Sequence, residues 1–169
     1  MNNSWSIFAG ILIFNAITAL AIAFILTRRP QKNGIKPLTL MFISLAFWSF
    51  GYAMITLSPQ LKDKIFWLKF ENFGIQTTAL FWFLFAMMYT KMDSWMDNKI
   101  VLLALWVPPA VALTFILSER WFHLYYSSVK IATETGGPLL IERGPFYIYA
   151  LVCTYTLYLA GLAALVRRF

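Results

Sequence analysis

Cysteine and histidine are nearly absent from this chain: its 169 residues hold one of each, Cys153 and His123. A lone cysteine excludes an intrachain disulfide and any multi-cysteine metal site. A lone histidine excludes bis-histidine haem ligation and a multi-histidine zinc site within one chain. Charge is scarce as well, at 12% of residues, where a soluble domain carries about a quarter. There is no GxSxG, no HExxH, no paired-carboxylate arrangement and no phosphate-binding glycine loop. The residue inventory therefore predicts no enzyme, no cofactor and no metal.

What the chain has in abundance is apolar surface. Hydrophobic residues make up 60% and aromatics 18%, with a mean hydropathy of +0.68. Disordered segments are poor in aromatics, so the excess reads as an integral membrane protein with the lipid bilayer as its first partner. Five segments are long enough to cross a hydrocarbon core, which takes roughly 20 helical residues. They cover approximately 5–27, 37–57, 65–89, 100–117 and 146–166, with a long loop over 118–145. The expected fold is an all-α bundle of five transmembrane helices, a single membrane domain over 1–169. The first segment lacks a basic n-region and a small-residue cleavage site, and reads as a retained anchor.

The net charge is +7, but the basic residues sit at the ends of apolar segments, which points to topology and away from nucleic acid. Eight lie on one side: Arg28, Arg29, Lys32, Lys36, Lys91, Lys99, Arg167 and Arg168. Five lie on the other: Lys62, Lys64, Arg120, Lys130 and Arg143, where the long loop is formally neutral. The positive-inside rule predicts an N-terminus outside and a C-terminus in the cytoplasm. Within the long loop, two strand-like runs at 129–133 and 139–142 flank Thr135, Gly136, Gly137 and Pro138. Gly-Gly-Pro is turn chemistry, and it predicts a small extracellular β-hairpin over the bundle mouth. The preceding "SERWFHLYY" reads as an interfacial aromatic cluster.

The third span opens with "FWLKFENFG", which places Lys69, Glu71 and Asn72 in an apolar setting. At 100° per residue, Lys69 and Glu71 point about 200° apart and cannot pair. Lys69 is expected to snorkel to the outer interface. Glu71, about 9 Å below residue 65, must face the bundle interior and find a partner there. Three readings stand side by side. Glu71 is a structural cap or interhelical contact, or it lines an outward-facing ligand pocket with Asn72, Gln76 and His123, or it transfers a proton. His123 is likewise an interfacial ring or a ligand or pH-sensing contact. Trp48 and Tyr52 share one face of the second span, and Trp67 shares a face with Glu71, Gly74 and Thr78. Tyr147, Tyr149, Tyr155 and Tyr158 add phenols in the fifth span. Such aromatic faces are packing or a ligand cage. Pro108 and Pro109 interrupt the fourth span's hydrogen bonding, as fixed shape or as a hinge.

In order along the chain, "FWSFGYAMITL", "WLKFENFGI", "FWFLFAMMYT", the central proline, "SERWFHLYYSS" and "IERGPFYIYALVCTYTL" resemble a bacterial family. It is the N-terminal seven-transmembrane sensor domain of histidine kinases and some diguanylate cyclases. The matching positions are Trp48, Tyr52, Trp67, Lys69, Glu71, Gly74, Trp82, Phe85, Tyr89, Pro108, His123, Gly144, Pro145 and Tyr155; Asn72 departs mildly. The resemblance implies a sensory input module of the bacterial inner membrane. It would bind an unknown small ligand from outside and signal to a cytoplasmic kinase or cyclase domain. It identifies a role and no particular ligand. The family pattern has seven spans and this sequence shows five, so apolar surface that packs on two more helices is expected to favour association, a homodimer included. Half of a dimeric transporter and a structural membrane subunit are the competing readings. The ligand-contacting set expected on this basis is Glu71, Trp67, Asn72, Gln76, Trp48, Tyr52, His123 and Tyr155, with Pro108 and Pro109 as the hinge.

Overall fold

A computed structural model describes residues 3–29, 34–118, 123–132 and 138–168. Five long helices follow one another: α1 (Asn3–Thr27), α2 (Ile35–Leu57), α3 (Leu61–Thr90), α4 (Lys99–Leu117) and α5 (Pro145–Arg168). All five are long and apolar enough to cross a membrane. A short 3-10 turn (Ser94–Asp97) precedes α4, and an antiparallel hairpin of β1 (Tyr126–Ile131) and β2 (Leu139–Arg143) joins α4 to α5. The molecule is an all-α membrane bundle with one hairpin. The helix limits agree with the hydropathy segments except at the start of α3, which begins four residues before position 65. Lys62, Asp63 and Lys64 depress hydropathy there without disfavouring the helix.

The centre of the bundle is α3. It packs on α2, on α5 and on α4, while α1 lies chiefly along α2. Residues 76–80 are all buried, so α3 is enclosed on every side at mid-length. The outward faces of α1 and α5 stay apolar and open: Phe14 and Val152 are examples, as lipid-facing helices require.

Glycine and hydroxyl residues set the closest seam, between α2 and α3. A Cβ at Gly51 would sit 2.9 Å from the Glu71 Cα, and one at Gly74 would sit 2.5 Å from the Trp48 backbone N. The two helices thus touch backbone to backbone through reciprocal glycines, a packing mode that suits membranes because small residues maximise close contact. Thr77 donates to the Ser44 hydroxyl at 2.9 Å on the same seam. The α1–α2 seam uses Ala16, Ala19 and Ala46, with one polar tie from the Asn15 amide to the Ser49 hydroxyl at 2.6 Å.

The hairpin register pairs Val129 with Ile141 and Ile131 with Leu139, with an irregularity between Tyr126 and Ser128. β1 starts three residues earlier than the run at 129–133 predicts; position 133 and the turn residues Thr135, Gly136 and Gly137 lie outside the described residues. Pairing continues past the strands, since Gly144 N–H donates to the Tyr125 carbonyl at 2.8 Å and Phe146 N–H to the Leu124 carbonyl at 3.1 Å. Gly144 lies hard against the Leu124 carbonyl, leaving no room for a side chain. Pro145 then opens α5, where its missing N–H has no consequence. The hairpin is therefore fused to the start of α5.

Candidate functional site

Tyr125 and Tyr126 do not stay at the interface with the rest of the aromatic cluster. They are 2% and 6% exposed, in one core cluster with Ile55, Leu68, Ala112 and Ile116. A phenol can enter an apolar bundle when its hydroxyl finds a partner, and α3 supplies the partners. The Asn72 amide donates to Tyr126 Oη at 2.7 Å and to the Leu68 carbonyl at 2.7 Å. The Tyr125 hydroxyl lies 3.4 Å from Asn72 Oδ1. Burial raises the Tyr126 phenol above the ordinary tyrosine range, with neighbouring Tyr125 adding to the effect. It therefore stays protonated and serves as a fixed hydrogen-bonding post.

Next to this post is a cleft of about 360 Å³ between α2, α3 and α5, closed at the hairpin end by Tyr125. Its aromatic wall includes Trp48, Tyr147, Tyr155 and Tyr158, and its polar groups include Asn72, Gln76 and Thr154. Gln76 is 5% exposed. Its amide meets Tyr125 Oη at 3.5 Å and the Thr154 hydroxyl at 3.4 Å, at the loose end of hydrogen bonding. Further along α3, Trp82 donates its indole N–H to the Tyr158 carbonyl at 3.2 Å and lies against Gly161, tying α5 to α3.

Of the residues expected to meet a ligand, Trp48, Asn72, Gln76 and Tyr155 come together on this one wall. Glu71 stands behind it. It is buried against Gly51 with the Trp48 indole as its hydrogen-bonding neighbour, within electrostatic reach of Tyr126. The remaining three lie elsewhere. Trp67 packs edge-on against Phe50, Phe66 and Phe70. Tyr52 is 42% exposed and meets the Phe8 ring at 5.7 Å. His123, with a left-handed φ of 47°, borders a separate cavity near the α3 start. Lys69 donates to the Leu117 carbonyl at 3.1 Å, at the end of α4. Pro108 and Pro109 lie inside α4, whose helix runs unbroken through both.

Thr154 is a polar cleft residue that composition and pattern did not single out. A threonine in a transmembrane helix commonly bonds its own backbone, as Thr156 does to the Val152 carbonyl at 2.7 Å, so no sequence signal separates the two.

These features define a class, a multi-pass helical membrane protein with a cleft of aromatic rings and amides beneath an extramembrane hairpin. The chain belongs to the family described as the N-terminal 7TM region of histidine kinase, whose model matches residues 11–169. It is thus the membrane sensory region of a histidine kinase, and the family implies a kinase output domain. No curated protein matches the chain, and no solved structure does.

Proposed function

We propose that this region binds a small amphipathic, hydrogen-bonding ligand in the cleft between α2, α3 and α5. Gln76 carries the reading. A buried primary amide has two donors and two acceptor positions, and in this cleft both of its protein contacts are 3.4 Å or longer. Aromatic walls with a few convergent polar groups are what small-molecule sites are made of. Asn72, tightly bonded to Tyr126, holds the wall, while Gln76 and Thr154 meet the ligand and Trp48 and Tyr155 flank it.

In this reading residues 1–169 act as one domain of the bacterial inner membrane. The N-terminus and the hairpin face outward and α5 leads to the cytoplasm, in keeping with the eight basic residues on one side against five on the other. A ligand signals only by binding two bundle arrangements unequally. The movable parts are α5, joined to the hairpin at Gly144, and α4 at Pro108 and Pro109. The signal then passes to a cytoplasmic kinase domain, and the open apolar faces accommodate a second copy.

A thermal-shift screen of small amphipathic amides and phenols on the detergent-purified protein tests the site. Compounds that raise the unfolding midpoint of the wild type are expected to lose that effect in Thr154→Phe, which fills the cleft. They should keep it in Leu162→Phe, where the side chain points to lipid. Equal shifts in both variants would remove the cleft from the reading.

A further inference from the structure

A second cavity, of about 530 Å³, lies at the hairpin end between the first turns of α3 and the start of β1. Its chemistry differs from that of the cleft. Lys62, Lys69 and His123 line it together with the hydroxyl-bearing residues Tyr126, Ser127 and Ser128. Lys62 and Lys69 are seven residues apart, so they project from the same face of α3, separated by roughly 10 Å along the axis. The left-handed backbone of His123 turns the chain at the cavity edge. The floor, made of Ile65, Leu68 and Val129, is apolar.

Among the described residues, none that lines it is acidic. Asp63 follows Lys62 but is turned about 100° around the helix, and Glu142, across the hairpin from Ser128, is not in the wall. Lys69 spends one of its N–H groups on the Leu117 carbonyl at 3.1 Å, which fixes the ammonium in place and leaves two donors. Cations held in position beside hydroxyl donors favour an anion with several acceptor oxygens.

We propose that this cavity is an anion site, distinct from the cleft, that takes a phosphate-type group through Lys62, Lys69, Ser127 and Ser128. The group can be free or carried on an amphiphile whose chain lies over Ile65 and Val129. Tyr126 belongs both to this cavity and to the Asn72 post, so the anion sits one residue from the cleft's tyrosine lid.

The test uses three probes on the detergent-purified chain: inorganic phosphate, dihexanoyl phosphatidylglycerol and dihexanoyl phosphatidylcholine, followed by thermophoresis. The glycerol lipid is expected to bind saturably and about tenfold or more tighter than the choline lipid. Affinity should drop about tenfold in the double variant Lys62→Gln, Lys69→Gln, as loss of a charge-assisted pair of bonds implies. Glutamine can still donate to Leu117, and Lys130→Gln removes the same charge away from the cavity and should bind normally. Ser127→Trp fills the cavity without touching a charge and should also abolish binding. Lysine-dependent binding of phosphate itself identifies a free anion as sufficient, whereas binding of the glycerol lipid alone identifies a lipid headgroup. Equal affinity for the two lipids, or unchanged binding in the folded double variant or in Ser127→Trp, overturns the proposal. None of these variants alters the cleft wall, so the outcome is separable from that of the Thr154→Phe test.

Discussion

Asn72 joins the hairpin to the bundle through a single amide. Its Nδ2 serves both Tyr126 Oη and the Leu68 carbonyl at 2.7 Å, and the Asn72 side chain is buried. Replacing it by leucine removes the Asn72 hydrogen bond from a buried phenol, which costs about 1–3 kcal/mol. Asn72→Leu is therefore expected to lower the unfolding midpoint more than Tyr126→Phe does. The double variant should be no worse than Asn72→Leu alone, because the two residues share one interaction. Additive losses in thermal unfolding would show that the bond is not the common cause. Glu71 and Lys69 carry a related lesson. Helical periodicity alone places them on different faces. Which neighbours they meet, Trp48 for one and the Leu117 carbonyl for the other, depends on helices that are distant in sequence.

Helix α3 works as an element because its two neighbours on either side approach it through small residues. Gly51 and Gly74 bring α2 to backbone contact, and Gly161 lets α5 close on Trp82. A methyl group at Gly74 would fall on the α2 backbone, which cannot yield as a flexible side chain can. Gly74→Ala is accordingly expected to cost about 1–3 kcal/mol through overpacking. Gly10→Ala is the control, since a Cβ there meets nothing within 4 Å, and it should cause no loss. Comparable midpoints for the two alanine variants in the same detergent would refute the backbone-contact account. The elements themselves were legible in the sequence. Stretches of about 20 apolar residues leave a chain few options in a bilayer other than a helix, and Gly-Gly-Pro between two strand-like runs announced the hairpin. The descent of Tyr125 and Tyr126 into the bundle was not legible, because a Tyr-Tyr pair beside Trp and Phe has the same composition whether it lies at the headgroups or in a core.

At the scale of the whole molecule, the charge distribution predicts that the hairpin and the Ser94–Asp97 turn face opposite sides of the membrane. In a Cys153→Ser background, Lys130→Cys in intact spheroplasts should react with a membrane-impermeant maleimide. Ser94→Cys should react only after lysis. The reverse pattern would invert the assignment and move the cleft's hairpin lid to the cytoplasmic side.

Sequence alone determined that this is a helical membrane bundle, how many long apolar helices the chain contains, roughly where each lies, and the family resemblance that the match over residues 11–169 bears out. Those properties are local, set by the hydropathy and period of contiguous residues. Tertiary structure decided which polar residues share a site: Gln76, Thr154 and Tyr125 meet although 78 positions separate the first two. It also decided that Trp67, Tyr52 and His123 lie away from them. The physical reason is that a helix's period states which residues share a face, while the partner of that face is chosen by close packing between segments far apart in the chain.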